Sequence, residues 1–313
     1  MRDDSDIALA VSGSRHNAAG WARTNCVRCE ARTGREDRKG CLAVHLSGRW
    51  VCWRCGAGGR LRDPIREGWE DEEQVRGPVE AMEPPEAFWD LTEGDGATSV
   101  GLAPARRYLF APPDKGGRGL PREACRAAKV GACLDGRFRG RVVVPVLADD
   151  GETWLGWSSR AWLTEKEYVR RCVAAGIPAH EAREDWRAYL YPPGMPRGRV
   201  LYNHRALLVE TDEPALVVEG VFDVLCAQVG LERGVGSLGT PSPRGEQFDA
   251  FCAAKRPVVF LLDGDAWRKA EAMSLALRIE GVRSGYIRLP PKADPDGVNR
   301  EWVDREARES LEA

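Results

Sequence analysis

The sequence predicts an α/β protein in three parts: an N-terminal zinc ribbon with four cysteine ligands, a mixed α+β basic subdomain and a parallel α/β domain. Three observations lead to this prediction. Two cysteine pairs lie before residue 60, a basic stretch with a hairpin pattern spans residues 101–205, and strand and helix patterns alternate after residue 206. A chain of 313 residues is long enough for two or three domains.

The ribbon prediction rests on two C-x-x-C pairs that enclose 22 residues and precede a glycine-rich segment. The four cysteines are Cys26, Cys29, Cys52 and Cys55. Each pair can place two thiolates on one ion, and two pairs close a tetrahedral zinc site. Two disulfides are an alternative, and Cys41 or His45, between the pairs, is an alternative ligand. Since four cysteines leave no coordination position open, we predict one structural zinc ion per chain.

Composition favours a cytoplasmic protein. The remaining cysteines are scattered singly, which favours buried free thiols in a reducing cytosol over a disulfide scaffold. Those outside the ribbon are Cys125, Cys133, Cys172, Cys226 and Cys252. The first residues carry no charged-then-apolar signal pattern, and no apolar run reaches the ~18 residues of a membrane span. We therefore expect no membrane partner.

The net charge of −2 conceals blocks of opposite sign. Residues 1–60, the ribbon, and 101–205, the basic subdomain, are net basic, whereas 61–100 and 206–313 are net acidic. We interpret residues 61–100, which contain several prolines, as a linker and residues 206–313 as the parallel α/β domain. Basic blocks suit a phosphate backbone and acidic ones suit divalent cations, although any single block can be a solvated surface.

Local patterns predict the elements along the chain. Strands are expected in the ribbon at 42–45 and 49–52, and a hairpin in the basic subdomain at 141–157, with Asp149-Asp150-Gly151 as its turn. Helices are expected in that subdomain at 103–109, 122–130, 165–175 and 179–188. The last domain should contain four strands, each followed by a helix, at 215–218, 234–238, 257–262 and 285–289. Such alternation indicates a parallel sheet with right-handed crossovers.

Acidic residues follow three of these four strands. Glu219 comes directly after the first strand, Asp263 and Asp265 come after the third, and an Asp-Pro-Asp segment follows the fourth after a short loop. The carboxyl ends of parallel strands meet at one edge of a sheet, so these side chains can converge. Several carboxylates in one cleft repel each other unless a cation is bound. The alternative for Asp265 is a helix cap before Trp267.

The same segments resemble a known family. Four of them resemble, in family order, the motifs of the Toprim domain: 217–223, 236–240, 262–266 and 293–296. Three others are similar to the basic subdomain that precedes Toprim in DnaG-type bacterial primases: 138–145, 156–160 and 189–203. The ribbon resembles the zinc domain of that family, and its all-cysteine ligand set is closer to phage primases. The ordered resemblance covers most of residues 24–300.

The resemblance implies a DNA primase, a nucleotidyltransferase that makes short RNA primers on single-stranded DNA from ribonucleoside triphosphates. It implies catalytic Mg²⁺ or Mn²⁺ on Glu219, Asp263 and Asp265. Further acidic residues would act as additional ligands or support them: Asp223, Asp294 and Asp296. It also implies a replicative helicase acting in trans and a bacterial cytoplasm, which is compatible with a phage or mobile-element origin.

The resemblance further implies nucleic-acid and nucleotide contacts. Five arginines in the matched segments would hold phosphates through their forked donors: Arg139, Arg141, Arg160, Arg197 and Arg199. For each one alone, a solvated charge is the alternative. In the ribbon, Trp53 would stack on unpaired bases, whereas Trp50 fits the small ribbon core better.

The chain also departs from the family pattern. Ala188 stands where a lysine is frequent, Trp267 stands where a glycine is usual, and the helical tail after Toprim is nearly absent. We therefore keep dependence on a partner protein as an expectation. Two alternative functions remain: a Toprim nuclease or phosphotransferase, and a non-catalytic single-stranded-DNA-binding module derived from a primase.

Overall fold

The computed structural model describes residues 5–11, 21–45, 48–61, 78–91, 98–239 and 245–312. Much of the predicted linker, at 62–77 and 92–97, and Thr240 of the second Toprim-like segment lie outside the described residues. Two units are present: Met1–Pro78 with Arg197–Asp223 and Glu232–Ala313, and Val79–Pro196 with Val224–Leu231.

The regular elements are numbered in chain order. The strands are β1 (Trp21–Thr24), β2 (Leu42–His45), β3 (Arg49–Cys52), β4 (Gly58–Arg60), β5 (Phe88–Asp90), β6 (Gly131–Cys133), β7 (Arg141–Leu147), β8 (Trp154–Ala161), β9 (Tyr189–Leu190), β10 (Ala215–Val218), β11 (Gly234–Gly236), β12 (Val258–Phe260) and β13 (Ser284–Tyr286). The α-helices are α1 (Ser5–Val11), α2 (Cys29–Thr33), α3 (Thr98–Phe110), α4 (Arg122–Ala127), α5 (Glu165–Ala174), α6 (Ala179–Asp185), α7 (Val221–Leu225), α8 (Glu246–Cys252), α9 (Trp267–Ile279) and α10 (Arg300–Glu312).

The ribbon is an antiparallel sheet in the order β1-β2-β3-β4. Its two predicted strands, β2 and β3, pair with each other in register, for example Val44 opposite Trp50. Trp50 is only 1% exposed and packs with Leu42 and Val44 beside the four cysteines. The guanidinium of Arg28 lies 4.9 Å above its ring. The expectation that Trp50 belongs to the ribbon core is therefore confirmed.

Within the same unit, the ribbon packs against helix α9. Trp21, Ala43 and Val51 form one apolar cluster with Ala272 of α9. A Cβ on Gly58 would lie 2.7 Å from Cδ2 of Leu275, so the glycine lets β4 approach the helix. The ribbon thus covers apolar surface that α9 would otherwise expose to water.

One buried charge lies at this contact. The side chain of Arg49 is 7% exposed, and its Nη1 lies 2.7 Å from Oε1 of Glu280. Its guanidinium also lies 4.7 Å from the ring centroid of Trp21 and 4.6 Å from that of Phe248. A carboxylate and two aromatic rings together offset the desolvation of this arginine.

The C-terminal part of this unit contains the predicted parallel sheet, in the order β11-β10-β12-β13. All three strand pairs are parallel, and the strands are buried throughout except at Tyr286. Continuous apolar runs suit strands that are covered on both faces. The core beside them includes Phe248, Phe251, Phe260 and Met273.

The second unit is built around an antiparallel sheet in the order β5-β6-β7-β8-β9. The predicted hairpin forms as β7 and β8, which pair from Arg141↔Ala161 to Leu147↔Trp154. Strand β5 lies inside residues 61–100, the stretch interpreted as a linker with at most short helices. It forms because Phe88 pairs with Cys133 and packs against Trp154, with the centroids of the two aromatic rings 5.3 Å apart. A pattern of three residues does not reveal such a tertiary contact.

Over the described residues, no helix has both the length and the hydrophobicity needed to cross a membrane. The predicted division into four domains stays a prediction.

Candidate functional site

The four predicted zinc ligands meet in the ribbon. Their sulfur atoms all lie within 4.8 Å of one another and are buried. The Sγ atoms of Cys26 and Cys55 are 3.8 Å apart, and those of Cys29 and Cys52 are 3.6 Å apart. A tetrahedral ion with metal–sulfur bonds of about 2.3 Å places its sulfurs about 3.8 Å apart. The cluster therefore has the dimensions of a closed tetrahedral metal site.

Neither alternative ligand joins this cluster. All ten cysteines are free, so the disulfide interpretation is wrong. Cys41 lies outside the group of four, and the ring of His45 packs at a tilt against that of Trp21, with ring centroids 4.9 Å apart. The two C-x-x-C pairs alone supply the four sulfur atoms.

The thiols influence one another strongly. Burial raises the pKa of the Cys29 thiol to about 12, while hydrogen bonds from the thiols of Cys26 and Cys52 lower the pKa of Cys55 to about 2. One thiolate is thus stabilised by its neighbours, and further deprotonation needs a positive charge among the sulfurs. A divalent cation supplies that charge.

Asp37 is a supporting residue that the sequence analysis missed. Its side chain accepts hydrogen bonds from the backbone N–H groups of Cys26 (2.8 Å), Lys39 (2.9 Å) and Cys41 (2.7 Å). Burial raises the pKa of this carboxyl, but the three donors outweigh it and the net pKa is lowered. Asp37 thereby fixes the segment that enters the first cysteine pair. An acidic residue between the two pairs was the available signal.

The acidic residues lie at the carboxyl edge of the parallel sheet. Glu219 directly follows β10, and Asp263 lies three residues after the end of the neighbouring strand β12. The chain runs from β10 to β11 on one side and then to β12 on the other side of β10. The strand order therefore reverses between β10 and β12, which is where open α/β sheets bind ligands.

The loop that carries Asp263 and Asp265 is held against the loop before Asp294. The N–H of Gly264 donates to the carbonyl of Ala293 at 2.9 Å. Gly264 is buried so tightly that an added Cβ would overlap the carbonyl oxygen of Pro290. A residue without a side chain is therefore required at position 264. The close approach and the hydrogen bond together hold the two acidic segments against each other.

We expect Gly264→Ala to separate these two loops and to lower the free energy of unfolding by on the order of 2–3 kcal/mol. Gly297→Ala is the matched control, because its added Cβ meets no atom within 4 Å. It should change stability by no more than about 0.5 kcal/mol. Urea denaturation of both variants measures the difference, and equal stabilities would contradict the close approach.

The carboxylates repel one another at this edge. Burial, followed by the negative charges of Asp294, Asp265 and Asp296, raises the pKa of the Asp263 carboxyl. The cap interpretation of Asp265 is not supported, because α9 has Ala266 as its N-cap and no side-chain cap bond. Raised pKa and clustered charge are the properties of a site that gains from binding a cation.

Asp223 has a local role. Its Oδ2 accepts a hydrogen bond from the N–H of Gly220 at 2.9 Å and so closes the turn after β10. On the next loop, the N–H of Gly239 donates to the carbonyl of Glu219 at 3.1 Å. These bonds fix the backbone on both sides of Glu219.

The carboxylates do not form a closed ligand cage. Over the described residues, only the four cysteines form a group of potential ligand atoms as close as 4.8 Å. The acidic edge is open by comparison. Mg²⁺ commonly binds through one or two carboxylates and completes its shell with water and substrate phosphates, which this edge allows.

The predicted arginines differ in their surroundings. In the second unit, Arg139 is exposed. The Cζ atom of Arg160 lies 4.4 Å from the ring centroid of Tyr189, and its guanidinium donates a hydrogen bond to the hydroxyl of that tyrosine. Arg141 is buried and donates to the carbonyls of Ala188 (3.3 Å) and Arg187 (2.6 Å). These bonds tie β7 to the segment before β9.

The remaining predicted contacts belong to the first unit. Arg197 is exposed, whereas Arg199 forms an ion pair with Glu246 at 2.6 Å. Trp53 is half-buried and packs against both the ribbon cluster and the core beside the parallel sheet. Nucleic-acid contact by these residues stays a prediction.

No family model matches the chain, and no curated protein matches it. Among solved structures, the chain is similar to the Aquifex aeolicus primase (zinc-binding and RNA polymerase domains), with 19% identity, a TM-score of 0.46, and coverage of 99% of this chain and 83% of that one. A second similar structure is the RNA polymerase domain of Mycobacterium tuberculosis primase DnaG, in complex with a double-stranded DNA oligomer with a 6-nucleotide overhang. It has 19% identity and a TM-score of 0.46, and the match covers 68% of this chain and 73% of that one. The primase fragment of the bacteriophage T7 primase-helicase protein has 16% identity and a TM-score of 0.42, and the match covers 92% of this chain and 98% of that one. These structures are of the class that the sequence resemblance indicated.

Proposed function

We propose that this chain is a DNA primase that synthesises short RNA primers on single-stranded DNA by metal-dependent nucleotidyl transfer. The observation that carries the proposal is the position of Glu219 and Asp263. They follow adjacent parallel strands at the reversal of strand order, in segments that resemble Toprim motifs. The raised pKa of Asp263, caused by burial and the surrounding carboxylates, supports cation binding at this edge.

The acidic residues would hold catalytic Mg²⁺ or Mn²⁺. When bound, such an ion lowers the pKa of the attacking 3′-hydroxyl and stabilises the leaving pyrophosphate. We assign metal binding to Glu219, Asp263 and Asp265, with Asp294 and Asp296 on the adjoining loop. Asp223 supports the turn that carries Glu219.

The four cysteines would hold one zinc ion with a structural role. Four thiolates saturate a tetrahedral ion, so no position is left for substrate or water. The ribbon would then present a folded basic surface to the template. A replicative helicase acting in trans is the protein partner that we propose.

The experiment is template-dependent primer formation from labelled ribonucleotides on single-stranded DNA of random sequence, with Mg²⁺ or Mn²⁺. We expect short RNA products that require both template and metal. Cleavage of the DNA without added nucleotides would favour a nuclease instead. DNA binding without either product, also in the presence of a replicative helicase, would favour a non-catalytic binding module.

Binding to the template should depend on Arg139 and Arg160 of the second unit. We expect Arg139→Ala and Arg160→Ala each to weaken binding to single-stranded DNA by about tenfold, because each removes a charge-assisted contact to phosphate. Each should also reduce the slope of log affinity against log salt concentration by roughly 0.7. Fluorescence anisotropy at several salt concentrations measures both quantities.

Arg126→Ala is the control for that experiment, since Arg126 is exposed in the same unit but lies outside the matched segments. Its affinity for DNA should stay within about twofold of the original. Equal losses in all three variants would show a non-specific effect of net charge. Unchanged affinity in Arg139→Ala and Arg160→Ala would show that these arginines are merely solvated.

A further inference from the structure

An aromatic and cationic cluster lies beside the acidic edge, and the proposed function does not yet use it. It consists of Trp267, Arg268 and Arg288, which we call the tryptophan–arginine cluster. Trp267 is the first residue of α9, two positions after Asp265. Arg288 lies two positions after β13, the strand next to β12, so it also stands at the carboxyl edge of the sheet.

The two guanidinium groups lie against the same ring. The Cζ atom of Arg288 is 4.2 Å from the ring centroid of Trp267, and that of Arg268 is 5.2 Å away. The ring is half-buried, whereas both arginines are exposed. Contact with the ring restricts both guanidinium groups, so both positive charges lie within 5.2 Å of one ring centroid.

These arginines do not neutralise the neighbouring carboxylates. Across the described ranges of the chain, neither the Arg268 nor the Arg288 side chain forms a hydrogen bond or an ion pair with another residue. Their forked N–H donors therefore remain open to a ligand. Two like charges gathered on one ring are better stabilised by an anion than by water alone.

The adjoining chemistry indicates which anion would bind. One side of the edge carries carboxylates suited to a divalent cation, and the other side carries two guanidinium groups. A polyphosphate satisfies both sides, because some of its oxygens can bind a metal ion while others accept hydrogen bonds from the guanidinium N–H groups. A carboxylate ligand would lack enough oxygens for both.

We propose that Trp267, Arg268 and Arg288 form a binding site for the polyphosphate tail of a nucleoside triphosphate at the carboxyl edge of the parallel sheet. The identity of the ligand as a nucleotide rests on the proposed primase function. The arginines contact the phosphates, and Trp267 is a positioning residue that holds the guanidinium groups in place.

The direct test is calorimetric titration of the full chain with inorganic tripolyphosphate, without metal, and with ATP in the presence of Mg²⁺. The doubly substituted variant Arg268→Gln/Arg288→Gln should bind both probes at least about tenfold more weakly. Arg283→Gln is the matched control. Arg283 is exposed and lies before β13, at the opposite edge of the sheet. Its affinity for both probes should be unchanged.

The role of the ring is tested separately, with a substitution that keeps an aromatic group. Trp267→Phe should retain most of the affinity for tripolyphosphate, whereas Trp267→Ala should lose it with the arginines still present. In primer synthesis, the double arginine variant should raise KM for nucleotides about tenfold, with kcat within about twofold. A structural role for the cluster would lower thermal stability without this separation of KM from kcat.

The outcomes separate this inference from the proposed function. Unchanged tripolyphosphate affinity in the double variant, or an equal loss in Arg283→Gln, overturns the site even if the protein makes primers. Binding that depends on Arg268 and Arg288 in a protein that makes no primers supports the site and removes the primase function.

Discussion

Asp263→Asn should reduce primer synthesis by at least about a hundredfold while changing the affinity for single-stranded DNA by no more than about twofold. The substitution is nearly isosteric and removes one charge from the proposed metal site. In the proposed function the template would be held elsewhere, by the arginines and the ribbon, so DNA binding should survive. Glu219→Gln should give the same separation, because both carboxylates would serve the same metal-stabilised transition state.

Asp263→Asn should also stabilise the metal-free protein at neutral pH. In the folded chain, burial and three carboxylates raise the pKa of Asp263 above the unfolded value of about 3.9. The folded state thus favours the protonated form, so this contribution to stability is present below about pH 4 and is lost as the pH rises through the folded pKa. Asparagine cannot ionise. The variant should therefore gain stability at pH 7 and none at pH 3, as measured by urea denaturation.

Asp212→Asn provides the control for both measurements. Asp212 is exposed and precedes β10, at the edge of the sheet opposite to Asp263. It loses the same charge, yet primer yield should remain unchanged. Primer yield close to the original in Asp263→Asn or Glu219→Gln, over a full Mg²⁺ titration, would remove these residues from the catalytic site.

Cys52→Ser should abolish zinc binding and unfold the ribbon. With one of four thiolates removed, the zinc content should fall from about one ion per chain to below about 0.1. A structural zinc ion supplies much of the folding free energy of so small a sheet, so the core around Trp50 should lose its packing. Metal analysis and near-ultraviolet circular dichroism measure the two effects.

The consequence should extend to helix α9 without unfolding the parallel sheet. Loss of the ribbon exposes Ala272 and Leu275, which pack against it, and leaves Glu280 without Arg49. The parallel sheet keeps its own core around Phe260 and should remain folded with lower stability. Cys41→Ser is the control, because Cys41 lies outside the cluster, and it should retain zinc. Loss of zinc from Cys41→Ser, or its retention in Cys52→Ser, would overturn the ligand assignment.

Much of the fold followed from local patterns. The strands β2 and β3, the hairpin β7–β8 and the four parallel strands were expected from apolar runs and turn residues within about ten positions of one another. The four-cysteine cluster was also predictable, because each pair brings two ligands together within one turn. The positions of Glu219 and Asp263 at one edge followed from their places after parallel strands.

Other features depended on contacts between distant parts of the chain. Phe88 becomes part of a strand only because its segment pairs with β6 and its ring packs against Trp154. Arg141 and Arg139 lie in the same basic motif. The side chain of Arg141, however, is buried and donates hydrogen bonds to the carbonyls of Arg187 and Ala188. A sequence pattern records charge but not the acceptor that tertiary packing brings to it.

The sequence by itself determined the chemistry that the chain carries: four thiols in two pairs, carboxylates after parallel strands, and arginines in two basic blocks. Spacing along the chain and strand periodicity are local, and they suffice for these assignments. Only the tertiary structure decided that Asp37 supports Cys26 and that Trp267 lies against Arg288. Those pairs are 11 and 21 positions apart with no shared periodicity, so their contact arises from how the loops pack.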